Sequence, residues 1–402
     1  MTALPNIDLD FTEQPAIPAA GVERANELMA SGRLFRYGET GAGELDVAGL
    51  EATFAEMVGR RYCVAFNSCG ASLAASLMAA GVTRGEPVLM NAFTLAPVPG
   101  ALVHAGADPV FVGVTPDYLI DLDDLVSAAQ RSGSRYLMLS HMRGHIADMD
   151  RVMDVADELD LTVIEDCAHT MGARWRGRPS GTFGAVGCFS TQTFKHVNSG
   201  EGGLLVTDDD DIAARAILLS GSYMLHEQHG TRPPTDVIER HRFTTPNLSM
   251  RMSALAAAVA RPQLEVLEDR AAVWGDRYTR LAELLTADPR IRVPDRHADE
   301  QYVASSIQFS VDGLDESTMI AWLELAEDHG VHVKWFGRHE PVGFTSRYDH
   351  WRYATEQTLH ATTAVLSGLC DMRIPLSMTP DDCIVIAEII RGALSAMVAE
   401  FQ

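Results

Sequence analysis

Lysine is almost missing from this chain. Of its 32 basic residues only two, Lys195 and Lys334, are lysines, and the rest are arginines. Arginine carries charge as well as lysine does, but its guanidinium hardly ever gives up a proton. A lysine amine can, and it can then attack a carbonyl. Each surviving lysine is therefore either a leftover surface group or a residue that arginine cannot replace, and its neighbours decide which.

Positive charge as a whole is also short. The formal net charge is −23 at pH 7, which excludes the clustered cations that nucleic-acid phosphates and anionic membrane surfaces select. The six cysteines contain no CxxC pair, so neither a metal site nor a disulfide framework is expected, and the protein reads as reduced and cytoplasmic. Long apolar runs are missing: the richest, "ASLAASLMAAG" at 71–81, is too short to span a bilayer and contains serines. The N-terminal "MTALPNIDLDFTEQ" has no basic segment ahead of an apolar one, so no signal peptide is read. With 47% hydrophobic and 7% aromatic residues over 402 positions, the chain can bury a large core in two domains.

What is present is an α/β pattern. Residues 1–20 have no clear period and read as an arm lying on the surface or on a partner. Residues 21–265 read as the larger domain, in which short apolar strands alternate with helical runs from about residue 45. "CVAFNS", "PVLMNAF", "DPVFVGV", "RYLMLSH" and "LTVIED" read as strands, and 149–160 as the helix joining the last two. This predicts a mostly parallel central sheet with helices on both faces. A long helix from Pro262 to Leu285 then leads to a smaller α+β domain, 266–402, with strands at "SSIQFSV", "VHVKWF" and "MRIPL".

Four segments fall after strands, where open α/β sheets place ligands. "NSCGAS", at 67–72, has small residues whose backbone N–H groups, with the helix behind them, suit a phosphate; any tight strand–helix turn favours the same residues. "IEDCAHT" puts Asp166 at a strand end, as a helix cap or as partner to a cationic ring nitrogen, with His169 three residues on. "FSTQTFKHVNSGEGG" sets Lys195 after Ser190 and Gln192 and before a glycine-rich turn that lacks both GK[ST] and GxGxxG. "PNLSMRMS", at 246–253, leads into an alanine-rich helix.

In this order the four segments resemble the DegT/StrS sugar aminotransferases, a branch of the fold-type-I pyridoxal-phosphate enzymes. The likeness runs from residues 31–59 to 371–390, and "IEDCAHTMGA" and "FSTQTFKHVNSGEGGLLVTDD" carry most of it. The resemblance implies pyridoxal 5'-phosphate (PLP), cycling through its amine form PMP, with Lys195 bonding the cofactor aldehyde and then shuttling a proton. It implies Asp166 on the pyridine nitrogen, His169 on one ring face and Phe93 on the other. Ser190 with the backbone of Cys69 and Gly70 would hold the phosphate, and Gln192 would lie near the ring's substituents.

It further implies a homodimer with shared active sites, in which Asn247 reaches the neighbouring cofactor. The family spaces its asparagine two residues before the arginine, whereas Asn247 and Arg251 are four apart, so either Asn247 or Ser249 takes the role. Residues 220–246 read as an insertion-like loop shaping the substrate pocket. Lys334, in the basic and aromatic "HGVHVKWFGRHEP" at 329–341, and Arg251 are the substrate candidates, Lys334 for an anionic group on the acceptor. The implied reaction moves an amino group from L-glutamate or L-glutamine to a ketone on a sugar, cyclitol or sugar-like metabolite in secondary metabolism. A PMP-dependent dehydratase, in which some relatives replace the lysine by histidine, and a non-catalytic binding protein of the same fold are the alternatives.

Overall fold

The computed structural model describes residues 4–38, 45–344 and 347–400. Residues 1–3 of the arm, and 39–44 inside the first stretch of family likeness, lie outside the described residues. The central sheet is built from β1 (Tyr62–Phe66), β2 (Pro87–Asn91), β3 (Asp108–Val112), β4 (Tyr136–Ser140), β5 (Thr162–Asp166), β6 (Val186–Ser190) and β7 (Gly203–Thr207). Their order across the sheet is β3-β2-β4-β5-β6-β7-β1. β3, β2, β4, β5 and β6 run parallel, while β7 is antiparallel to both β6 and β1. The mostly parallel α/β sheet read from the sequence is therefore present. Strands β1, β4, β6 and β7 bury every residue, which is why they read as unbroken apolar runs rather than as alternation.

Part of the acidic surplus serves the helices. Asp121, Asp148 and Asp209 cap Leu122–Ser132, Met149–Glu158 and Asp210–Ser220 by accepting first-turn N–H groups. The long helix expected from Pro262 starts later. Ala254–Ala260 is followed by a tight turn, Arg261–Gln263, and then by Leu267–Leu285. Proline has no N–H for a helical interior but fits the first position of a turn.

A second, antiparallel sheet orders Ile291–Arg292, Ser306–Val311, Leu369–Arg373 and Lys334–Trp335. It packs with helices Leu267–Leu285, Glu316–Asp328 and Pro380–Glu400, and the Trp322 indole donates to the carbonyl of Ile390 at 3.0 Å. One apolar core runs from Leu89 and Val163 through Trp175 and Trp274 to Phe309 and Trp322, so the two sheets share it.

Two segments that read as irregular are pinned down. The arm lies along its own chain: Ile7 N–H donates to the His329 carbonyl at 3.1 Å, and Phe11 is buried in the shared core. The 220–246 loop carries a short helix, Thr235–His241, and sends His229 into a buried group with Arg36 and Glu51. Glu51 accepts from Arg36 at 3.0 Å and lies 3.1 Å from His229 Nδ1. Burial opposes the charge on Glu51, yet Arg36 and His229 hold its carboxyl at about 2. Gly230 passes so close to the chain that a Cβ there would lie 1.9 Å from the Ala48 carbonyl oxygen.

Candidate active site

The carboxyl ends of β2, β4, β5 and β6 converge on one end of the sheet. Asp166, the last residue of β5, stands in register with Ser140 of β4 and Cys188 of β6. Ser140 donates its hydroxyl to Asp166 Oδ2 at 2.7 Å, and Ala168 N–H donates to Oδ1 at 3.1 Å. Ser140 is positioned in turn by Asn91, whose side chain bonds both its N–H (3.0 Å) and its carbonyl (2.8 Å), and by Thr94 at 2.9 Å. A carboxylate this buried and this oriented is suited to a fixed cationic partner.

Lys195 follows β6 on the loop to β7. Its Nζ lies 2.6 Å from His169 Nε2. The other ring nitrogen, Nδ1, accepts the backbone N–H of Arg143 at 3.3 Å. Burial first, and then the Lys195 charge, push the His169 pKa well below its ordinary value, so the ring is neutral. With Nδ1 accepting, the ring's proton sits on Nε2, where it can donate to the Lys195 amine once that amine has lost its own proton. Burial, and after it the Arg143 guanidinium, bring the Lys195 pKa down to about 8. If the neutral amine is what reacts, the rate at which cofactor-free protein takes up PLP should rise with pH and level off above about 8. Stopped-flow absorbance between pH 6.5 and 9.5, as an experimental range of roughly three units around that value, checks it. A flat profile would remove the depressed amine from the account.

The phosphate candidate is the start of helix Cys69–Ala80. Ser68 caps it by accepting Ala71 N–H at 3.1 Å, which leaves the amides of Cys69 and Gly70 without an intrahelical partner. Gly203, the first residue of β7, presses against this turn: a Cβ there would come within 2.3 Å of the Ser68 carbonyl oxygen. Ser190 is buried at the end of β6, its hydroxyl accepting Gln192 N–H at 3.3 Å. Burial holds the Cys69 thiol protonated, well above its ordinary pKa, so its backbone rather than its sulfur is the useful group. A helix N-terminus, an oriented acid and a lysine of lowered basicity would suit the phosphate, the ring nitrogen and the aldehyde of PLP.

The structure does not gather every expected residue. Phe93 is a correction: its ring is 0% exposed, packed edge-on against Phe336 (5.2 Å) and Tyr118 (6.0 Å). A phenyl ring following a buried strand gains more from the core than from a solvent-lined cleft. Gln192 Oε1 accepts Phe194 N–H at 2.9 Å and shapes the loop. Arg251 donates to the Gly221 carbonyl at 2.8 Å and stacks on Phe35, away from the cleft that Lys195 lines. Asn247 is exposed and Ser249 donates to it, and neither lines the cleft of its own chain.

Two residues the sequence reading passed over do line it, Arg143 and Arg373, together with Phe11, Glu13 and Gln14 of the arm. Arg143 follows β4 in left-handed backbone (φ 56°) and pairs with Asp371 at 2.7 Å. Its place just after a strand end was the available signal. Behind the sheet, His141, Glu165 and Cys167 stand close enough to grip a metal ion. Glu165, however, already accepts N–H groups from Gly181, Phe183 and Gly184 and lies 3.1 Å from His141 Nε2, so the group serves the fold.

A mostly parallel sheet with one antiparallel strand near its edge carries a half-buried lysine and a buried acid at the carboxyl ends of its strands. The chain belongs to the DegT/DnrJ/EryC1/StrS aminotransferase family, whose model matches residues 17–391. It is 37% identical over 238 residues to L-glutamine:scyllo-inosose aminotransferase of Streptomyces griseus, covering 58% of this chain and 54% of that one. It is 28% identical over 333 residues to the spore coat polysaccharide biosynthesis protein SpsC of Bacillus subtilis, covering 81% and 82%. The fold superposes on the aminotransferase TlmJ of Streptoalloteichus hindustanus with a TM-score of 0.81 at 21% identity, covering 96% and 98%. Among the described residues no helix is long and apolar enough to cross a membrane.

Proposed function

We propose that the protein is a PLP-dependent aminotransferase that carries an amino group from L-glutamate or L-glutamine to a ketone on a sugar or cyclitol. The observation that carries this reading is Lys195, a half-buried amine with a pKa of about 8, set 2.6 Å from neutral His169 beside the oriented Asp166. The bound cofactor supplies an electrophilic carbon and a ring that accepts electron density. Asp166 keeps the ring nitrogen charged, Ser190 and the helix start at Cys69 and Gly70 hold the phosphate, and His169 steadies the Lys195 amine. Freed by the incoming donor, that amine takes and returns the proton that moves during transfer. The substrate class is supported by the Streptomyces griseus relative, whose name specifies glutamine and an inosose.

The test is spectroscopic. The loaded protein should be yellow, lose that colour with L-glutamine or L-glutamate, and regain it with a keto-cyclitol or keto-sugar. Colour that no amino acid discharges would end the proposal.

The active form is proposed to be a homodimer with shared sites, because Asn247 is exposed and stands outside the cleft of its own chain. Mixing inactive Lys195→Ala with inactive Asn247→Ala subunits should restore partial turnover, up to about a quarter of the wild-type rate if exchange is random. No rescue in dimers shown by mass spectrometry to be mixed would count against sharing.

A further inference from the structure

The turn that follows β4 is fastened on two sides. Toward the central sheet, His141 N–H donates to the Asp166 carbonyl at 3.1 Å. From the second sheet, Gln308 Oε1 lies 2.8 Å from His145 Nε2, and the Arg296 guanidinium donates to the Gly144 carbonyl at 3.0 Å. Between these anchors Arg143 and Gly144 both take left-handed backbone, at φ 56° and 84°. Glycine accepts that freely, whereas arginine does so against strain, which persists only where the surroundings over-determine it.

Arg143 thereby reaches two places. Its backbone N–H donates to His169 Nδ1 at 3.3 Å, which leaves Nε2 turned to Lys195 Nζ at 2.6 Å. Its guanidinium meets Asp371 of the second sheet at 2.7 Å and lines the same cleft as Lys195 and His169. A charge that is only 10% exposed is screened less than a surface one. The ionisable groups facing the Lys195 amine are Arg143 beyond β4, Asp166 and His169 beyond β5, Cys69 at its helix start, Arg373 on the second sheet and His196 next in the chain. Both imidazoles are held neutral, by burial above all. After burial, Arg143 does most to lower the pKa of the amine; Arg373 acts in the same sense, and Asp166 and Cys69 oppose them.

On the aminotransferase reading, we propose that Arg143 is a positioning residue for amino transfer. Its backbone sets the His169 ring against Lys195, and its guanidinium, held on Asp371, keeps a positive charge in the cleft. A like charge nearby makes an amine give up its proton more readily. Once the incoming donor frees Lys195, its amine is ready to take the proton that moves. Arginine suits the post because it hardly ever loses its own proton, so the charge persists at any working pH.

The scarcity of lysine makes the test direct. Full-length, cofactor-free protein carrying 13C at lysine Cε should give two side-chain NMR signals, Lys195 and Lys334. Lys334 lines an adjoining pocket instead of this cleft, and Lys195→Ala assigns the pair. The Lys195 signal should titrate near about 8 in wild type. In Arg143→Met its midpoint should rise by about half a pH unit to one. Arg143→Gly should do the same while relaxing the left-handed backbone and keeping the N–H that His169 uses. In the holoenzyme both variants should lose their colour to L-glutamine or L-glutamate about 3- to 10-fold more slowly near neutral pH, since each pH unit below the midpoint is tenfold in free amine. That deficit should narrow as the pH passes the new midpoint, and Arg143→Lys, which restores a charge, should recover part of it. The inference is overturned if the Lys195 midpoint stays within about 0.2 of wild type in both variants, well short of that rise. It is equally overturned if the slowing is the same at every pH, as a merely structural role would make it, or if Arg143→Lys recovers nothing. A wild-type protein that no amino acid bleaches would instead sink the aminotransferase reading, while the titration, which needs no cofactor, would still report on Arg143 and Lys195.

Discussion

Replacing Lys195 by alanine should give a folded protein that binds PLP weakly and transfers no amino groups, with turnover down by at least about 10³-fold. The change removes both the amine that bonds the cofactor and the group that moves the proton, and a positioned acid–base group alone typically accounts for about 10²–10⁴-fold. It should not cost stability. Folding lowers the Lys195 pKa from its ordinary 10.5 to about 8, so the protonated amine is disfavoured in the fold. At pH 7, below both values, that penalty is present in full, and alanine relieves it. Thermal melts at neutral pH should therefore show Lys195→Ala at or above the wild-type midpoint. Lys195→Arg should be nearly as inactive, since a guanidinium cannot take the amine's place. Near-normal turnover in either variant would dismantle the central assignment.

The second large effect is expected at Asp166. Asp166→Asn keeps the shape and can still meet the Ser140 hydroxyl, so the protein should retain about one PLP per chain, as the site's single helix-end phosphate cradle implies. An amide cannot hold a ring nitrogen in its charged form, however, and losing one preorganised electrostatic partner typically costs about 10²–10³ in rate. Steady-state turnover measured beside cofactor stoichiometry checks this. Activity within about five-fold of wild type, well short of that loss, would make Asp166 a helix cap and no more. Ser140→Ala offers a milder version, because it loosens the orientation of the acid without removing its charge.

Much of this site could be read from the chain because its parts are short and local. Asp166 with His169, and Ser190 with Gln192 and Lys195, each occupy one strand end and the turn behind it. Residue type and spacing along a few positions therefore carry the chemistry. Phe93 misled for the same reason: it too follows a strand, yet its ring turned inward to Tyr118 and Phe336. Nothing within its own segment distinguishes a ring facing the cleft from one facing the core. The 220–246 loop read as an insertion because its anchor, His229, finds Arg36 and Glu51 nearly two hundred residues away.

By itself, then, the sequence determined the alternation that builds a parallel sheet, the family to which the strand-end motifs belong, and which of its few lysines to place at the site. Only the tertiary structure decided how those motifs are supported and what else shares their cleft. Ser140 orients Asp166 through strand register, and Asn91 orients Ser140 from another strand again. Arg143 is matched to Asp371 across two sheets. The reason is physical: a local motif records what a residue is and which element carries it. Whether its charge is spent or free depends on partners that meet it only when distant elements pack together.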